Sequence, residues 1–142
     1  MTKTQDARSD EAVRDALVAR DRAYAPYSGF RMGAAVVTEH DAIVKGALVE
    51  NVSLGLAMCA ERVALFATVV NQAGRPEILA LASARTRGEL TWPCGACLQV
   101  ALELGGPEVL VVVSDGRERA EARVAELAPR LPFKQGPWGR SR

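Results

Sequence analysis

Apolar residues in the first part of the chain recur at the spacing of a helix. Between residues 12 and 19 they fall three and four positions apart, which is typical of a helix with one buried face. Ser9 belongs to the residue types that cap helices, so the helix is predicted to run from Ser9 to about Ala23. Residues 1–8 are polar and are expected to form a flexible tail. Pro26 and Gly29 interrupt the pattern after the helix.

Five later segments have the composition of strands. They cover residues 32–38, 42–48, 78–84, 109–113 and 119–122. The third and fourth are continuous apolar runs, which are typical of strands covered on both faces. Residues 39–41 form a hairpin loop between the first two. Helices are predicted at residues 59–72, from Pro93 to the glycines at 105–106, and at 124–127.

This order of helices and strands predicts the fold class. It is an α/β protein, a three-layer α/β/α sandwich around a five-stranded mixed sheet. The first two strands form an antiparallel hairpin, whereas strands joined through helices favour parallel pairing. Residues 1–142 are expected to be one domain, and residues 134–142, rich in Pro, Gly and Arg, a flexible tail.

Composition narrows the possible functions. The chain has 142 residues, of which 49% are hydrophobic and 25% charged, as expected for one globular domain. Eighteen basic and seventeen acidic residues give a net charge of +1, which disfavours nucleic acid as a partner. No apolar run reaches the ~18 residues of a membrane helix. The N-terminus lacks the apolar region of a secretory signal, so a cytoplasmic location is expected.

The candidate chemistry lies in three cysteines, Cys59, Cys94 and Cys97. An odd number cannot pair completely within the chain, and in a reducing compartment metal binding or catalysis is the better interpretation. Each falls at the predicted start of a helix, and the two residues between Cys94 and Cys97 let both sulfurs face one ion. Three thiolates on a zinc ion leave the fourth position for water, the arrangement of catalytic zinc sites.

Glu61 follows Cys59 by two residues and is a candidate for moving protons beside the metal. The pattern Cys–Ala–Glu followed by Pro–Cys–x–x–Cys matches the signature of zinc deaminases, with Cys in place of His. Three other interpretations remain: buried cysteines with a chance motif, a thioredoxin-like redox pair, and a structural zinc site. The last needs a fourth ligand, and the only histidine, His40, lies in a predicted turn.

With these motifs the sequence resembles the small cytidine deaminase family, the homotetrameric type with three cysteine ligands. The resemblance covers roughly residues 20–133. It comprises APYSGFRMGAA (25–35), VEN (49–51), CAER (59–62) and PCGAC (93–97), followed by Gln99 and Val100. It implies one zinc per chain held by the three cysteines, Glu61 as the proton shuttle, and a homotetramer with shared active sites.

The resemblance also implies the substrate-binding residues. Phe30 is expected to lie against the pyrimidine, and Glu50 to hydrogen-bond the ribose. Ala60 is expected among the substrate-binding residues. Phe133, near the C-terminus, is expected to cover the pocket of a neighbouring chain. Arg62 is expected to donate to the ligand thiolates.

Four residues depart from the usual family pattern. Leu48 stands where the family usually carries Asn, and Leu54 where a Tyr is common. Trp92 replaces a small residue before Pro93, and Leu98 replaces an Arg after the last cysteine. The zinc ligands and the shuttle are intact, so the departures concern the sugar pocket and the preferred nucleoside.

Four functions are therefore considered. The leading hypothesis is hydrolytic deamination of cytidine and deoxycytidine to the uracil nucleosides with release of ammonia, as in pyrimidine salvage. The alternative within the same fold is a deaminase of a modified cytosine nucleoside such as blasticidin S. A nucleic-acid editing deaminase is disfavoured by the near-neutral charge. A non-catalytic zinc protein is disfavoured by the presence of Glu61.

Overall fold

The computed structural model describes residues 3–134, and every predicted strand and helix is present in it. In chain order the elements are α1 (Gln5–Arg20), β1 (Met32–Thr38), β2 (Ile43–Ala47), a 3-10 turn (Leu54–Leu56), α2 (Ala60–Val70), β3 (Pro76–Ser83), α3 (Gly95–Gly105), β4 (Leu110–Ser114), β5 (Arg119–Arg123) and α4 (Val124–Leu127). The tail predicted over residues 134–142 lies outside the described residues except for Lys134. Within residues 3–134 no helix has the length and apolar character to cross a membrane.

The first helix begins earlier than predicted. Thr4, not Ser9, is its N-terminal cap, and the Thr4 hydroxyl accepts the N–H of Ala7 at 3.1 Å. Ser9 is buried one full turn inside the helix. Residues 5–8 are therefore helical, and a flexible tail there was a wrong prediction. The error arose because Thr4 followed by Asp6 in the first turn is an equally good start signal.

The sheet is mixed, with the strand order β2–β1–β3–β4–β5. β3 and β4, which are joined through α3, pair in parallel as predicted. β3 does not pair with β2, however, but lies antiparallel on the other side of β1. β5 also returns antiparallel, beside β4. Among the described strands, β3 and β4 are therefore the only pair that is both joined through a helix and paired in parallel.

Alternate residues of the central strands supply two separate cores. Ala35, Ala80 and Val112 face α1, whereas Val36 and Val111 face the side that carries α2, α3 and α4. This alternation, with helices on both faces, confirms the three-layer α/β/α sandwich.

Two glycines let the helices lie directly on the sheet. A Cβ atom at Gly33 would come within 2.2 Å of the carbonyl oxygen of Ala16 in α1. On the opposite face, a Cβ at Gly46 would come within 2.4 Å of the backbone nitrogen of Ala64 in α2. Any side chain at either position therefore has to push a helix away from the sheet.

The topology brings the starts of α2 and α3 to the same end of the molecule. β1 is antiparallel to both β2 and β3, so β2 and β3 run in the same direction. The helices that follow these two strands consequently begin at the same end of the sheet. Residues far apart in sequence, at the two helix starts, are thereby brought together.

Candidate active site

The three cysteines meet where α2 and α3 begin. Cys59 is the N-cap of α2, Cys94 is the N-cap of α3, and Cys97 lies in the first turn of α3. All three sulfur atoms lie within 4.8 Å of one another, and those of Cys94 and Cys97 are 3.4 Å apart. Tetrahedral zinc with Zn–S bonds of about 2.3 Å requires sulfurs about 3.8 Å apart. The cluster therefore fits one zinc ion per chain.

The cluster is open on one side. Cys97 is buried, Cys59 is half-buried and Cys94 is exposed. No other group of three or more metal-ligating side chains occurs within residues 3–134. A catalytic zinc site has three protein ligands and an open fourth position for water or substrate. A structural zinc site, in contrast, is closed by a fourth protein ligand.

Arg62 provides positive charge next to the sulfurs. Its Nη2 atom lies 3.2 Å from the sulfur of Cys59. Hydrogen bonds from the Cys97 thiol and from Arg62 lower the pKa of Cys59 to about 5. The pKa of Cys97 is raised, because its thiol is the donor in that pair and is buried. Negative charge thus concentrates on Cys59, whose sulfur lies 3.2 Å from the guanidinium.

Glu61 is buried beside this cluster, in the first turn of α2. Its side chain is 2% exposed, and its Oε1 atom has no hydrogen-bond partner. Burial raises the pKa of Glu61 to about 7, and the negative charge of Cys59 acts in the same direction. Burying a carboxyl group with an unsatisfied oxygen costs stability. Such a group next to a metal cluster is typical of residues that transfer protons.

Glu50 is connected to the cysteine cluster through a short backbone bridge. Val49 and Met58 exchange both of their backbone hydrogen bonds, at 3.1 and 2.9 Å, which brings residues 48–50 beside Cys59. The carboxylate of Glu50 accepts hydrogen bonds from Tyr27 and Ser28. The Ser28 hydroxyl, the main cause, and the two backbone N–H groups hold the pKa of Glu50 below its ordinary value.

Phe30 lies in the loop before β1, and Ala60 is the first residue of α2. Phe30 is half-buried, and its backbone N–H donates to the hydroxyl of Ser28 at 3.0 Å. The methyl group of Ala60 is fully buried in the core, so its side chain offers nothing to a ligand. As the first residue of α2, Ala60 has a backbone N–H without a partner inside the helix.

Phe133 lies away from the cysteines of its own chain. It packs against the core beneath α2 and α3, and lines a cavity together with Gly105 and Gly106, at the opposite end of α3 from Cys94. The Gln99 side chain holds this segment by donating to the carbonyl oxygen of Pro132 at 2.8 Å. Phe133 therefore does not cover the cysteine cluster within one chain.

The four departures from the family pattern have different environments. Leu98 is buried in the core, and Leu48 is half-buried with its N–H donated to the Met32 carbonyl. Trp92 is 37% exposed and Leu54 is 85% exposed. Sequence analysis assigned no role to Ser28, whose contacts with Glu50 depend on a loop geometry that the sequence does not reveal.

Comparison with known proteins adds independent observations. The sequence profile of the cytidine and deoxycytidylate deaminase zinc-binding region matches residues 7–113. A cytidine deaminase of Halalkalibacterium halodurans is 38% identical over 118 residues, which cover 82% of this chain and 88% of the relative. One from Mycobacterium tuberculosis is 45% identical over 89 residues, covering 63% and 65%. The crystal structure of cytidine deaminase from Burkholderia pseudomallei matches with a TM-score of 0.78 and 38% identity, covering 89% of this chain and 98% of that one.

Proposed function

Since the chain belongs to the family of zinc-dependent cytidine and deoxycytidylate deaminases, we propose that it converts cytidine and deoxycytidine to uridine and deoxyuridine. The reaction is hydrolytic: water replaces the amino group at C4 of the pyrimidine, and ammonia leaves. Relatives named cytidine deaminase do not favour the alternative of a modified nucleoside such as blasticidin S. Such an activity belongs to pyrimidine salvage in the cytoplasm.

One observation carries this proposal: a buried carboxyl group with an unsatisfied oxygen lies beside three clustered thiols. A bound zinc ion supplies a Lewis acid that makes a water molecule nucleophilic near neutral pH. A purely structural zinc site has no use for Glu61, because its buried oxygen costs stability and bonds to nothing. A proton-transfer role explains why that cost is tolerated.

Glu61 moves two protons in the proposed reaction. It accepts the first proton from the attacking water and delivers it to N3 of the pyrimidine ring. It takes the second from the oxygen newly bonded to C4 and delivers it to the departing amine. The C–N bond then breaks and a carbonyl forms at C4, so the two hydrogens of water end on N3 and in ammonia. Arg62, 3.2 Å from Cys59, offsets the negative charge of the thiolates.

Three residues are assigned to the nucleoside. Phe30 contributes an aromatic ring beside the pyrimidine. Glu50 accepts a hydrogen bond from the sugar, which its low pKa supports by keeping the carboxylate ionised. Ala60 contributes through its backbone N–H, since its methyl group is buried.

The proposed assembly is a homotetramer in which neighbouring chains complete the sites. Its support is a set of exposed apolar side chains on α2 and in the 3-10 turn before it, a feature typical of interaction surfaces. They are Leu54, Leu56, Phe66, Val69 and Val70. Phe133, which is remote from its own cysteines, is assigned to the pocket of a neighbour. Sedimentation should give a tetramer, and truncation before Phe133 should raise KM without loss of zinc; a fully active monomer would contradict both assignments.

Ammonia release from a substrate panel tests the function directly. The panel contains cytidine, deoxycytidine, deoxycytidylate, blasticidin S and a single-stranded DNA oligonucleotide. We expect the highest kcat/KM with the two free nucleosides. Glu61→Ala is the control for catalysis, and metal analysis of the same samples shows whether zinc is still bound. Activity confined to blasticidin S or to the oligonucleotide would contradict the proposal.

A further inference from the structure

The hydroxyl of Ser28 joins two parts of the proposed substrate pocket. It donates a hydrogen bond to Oε2 of Glu50 at 2.5 Å and accepts the backbone N–H of Phe30 at 3.0 Å. A hydroxyl has one hydrogen and two lone pairs, so it can hold both bonds at once. The residue assigned to the sugar and the residue assigned to the base are thereby linked through one oxygen atom.

The carboxylate of Glu50 has little hydrogen-bonding capacity left. Its Oε1 atom accepts the backbone N–H groups of Tyr27 and Ser28, at 3.0 and 3.2 Å. Its Oε2 atom accepts the Ser28 hydroxyl. An ionised carboxylate accepts about four hydrogen bonds, so about one position remains, on Oε2. The Ser28 hydroxyl therefore determines the direction in which that position points.

The neighbours of Glu50 in residues 48–51 offer no second carboxylate acceptor for a sugar hydroxyl. Leu48, where the family usually carries Asn, has no polar atom in its side chain. The Oδ1 atom of Asn51 accepts the backbone N–H of Ser53 at 2.9 Å. Within residues 48–51, Glu50 is thus the charged acceptor for a sugar hydroxyl, whereas the amide oxygen of Asn51 is already bonded within its own loop.

We propose that Ser28 is a positioning residue for the nucleoside sugar, acting through Glu50. It aims the open position of Oε2 so that Glu50 accepts one ring hydroxyl of the sugar, and the N–H of Phe30 holds the Ser28 hydroxyl in place for that contact. This inference rests on the proposed function. The inference goes beyond the proposed function in one respect. It predicts that the effect of substituting Ser28 on KM depends on the sugar of the substrate and not on the cytosine ring.

The test compares Ser28→Ala with Ser28→Thr on two substrates. Cytidine carries both ring hydroxyls, whereas 2′,3′-dideoxycytidine carries neither. Loss of a hydrogen bond that orients a charged group should raise KM for cytidine about tenfold in Ser28→Ala, with a smaller change in kcat. KM for dideoxycytidine should stay within about twofold of wild type, and Ser28→Thr should restore KM for cytidine. Ser53→Ala, an exposed serine at a 3-10 turn with no capping hydrogen bond, is the matched control.

A Glu50→Ala background completes the design. Without the carboxylate, Ser28→Ala should have no additional effect on KM for cytidine. Zinc content and Tm of Ser28→Ala should equal those of wild type, because Ser28 is exposed. Equal losses on both substrates, or additive effects in the double variant, would overturn the assignment of Ser28 while leaving the proposed function intact. A wild-type protein that deaminates no cytosine nucleoside would overturn the proposed function, and this inference with it.

Discussion

Gly46→Ala should damage the metal site by pushing α2, which packs directly against Gly46, away from the sheet. The new Cβ would lie 2.4 Å from the nitrogen of Ala64 and 2.6 Å from the carbonyl oxygen of Ala60. Ordinary contacts begin near 3.4 Å, so α2 has to move by about 1 Å. Because the clash involves helix backbone, no side-chain rotation can relieve it. The first residues of α2 lie beside Cys59 and include Glu61, so the displacement reaches the site directly.

The expected magnitude follows from the type of contact. Overpacking a dense core lowers the free energy of unfolding by about 1–3 kcal/mol. A clash with helix backbone is expected near the upper end of that range, because backbone atoms cannot rotate away. A loss of about 3 kcal/mol lowers Tm by roughly 10 °C in a chain of this size. A displacement of about 1 Å at catalytic groups can reduce activity about a hundredfold. We therefore expect Gly46→Ala to lose stability, zinc and kcat/KM together.

Two other glycine substitutions distinguish displacement of α2 from a general loss of stability. Gly33→Ala creates an equally severe clash, 2.2 Å from Ala16, but displaces α1, which carries no residue of the site. It should lower Tm comparably and retain zinc. Gly55→Ala meets no atom within 4 Å and should change neither quantity. Thermal unfolding, metal analysis and ammonia release on the same preparations measure all three effects. A Gly46→Ala protein with the Tm and zinc content of Gly55→Ala would show that a Cβ at residue 46 does not displace α2.

Three further predictions address single interactions. Glu61→Gln should retain zinc but reduce ammonia release by about 10²- to 10⁴-fold, because the proton carrier is lost; near-normal turnover would contradict this. Arg62→Gln should weaken zinc binding in a chelator competition, because its guanidinium hydrogen-bonds the sulfurs of the cluster, with 3.2 Å to that of Cys59; unchanged zinc affinity would exclude that role. Backbone N–H groups and Arg85 hold the pKa of Asp115 below the ordinary value of 3.8, so its stabilisation is present above that pH and lost as the pH falls through the lower folded-state pKa. Asp115→Asn should therefore lower Tm at pH 7, with the difference from wild type shrinking below about pH 4; a constant difference would argue against the ionised carboxylate.

Local sequence patterns were sufficient to predict most secondary-structure elements and to identify the chemical groups. Apolar patterns together with Pro and Gly signals predicted the α-helices and strands of the described residues, because side-chain burial follows the repeat of each element; the 3-10 turn at Leu54–Leu56 was not predicted. The cysteine spacing and the nearby glutamate indicated a metal centre, because the ligand types and the first turn of a helix limit what they can bind. The start of the first helix could not be predicted in the same way, because both Thr4 and Ser9 are residue types that cap helices. Ser9 is buried inside the helix and is not its cap, but burial depends on packing that the sequence does not show.

Which distant parts of the chain lie side by side is visible only in the folded protein. The position of β3 beside β1 depends on long-range pairing energy, to which no local pattern is sensitive. That pairing makes β2 and β3 run in the same direction and so brings Cys59 to Cys94 and Cys97. The contact between Ser28 and Glu50 arises in the same way, from a loop and a strand end 22 residues apart. Local sequence specifies which groups are available, whereas the free energy of burying both faces of one sheet decides which of them meet.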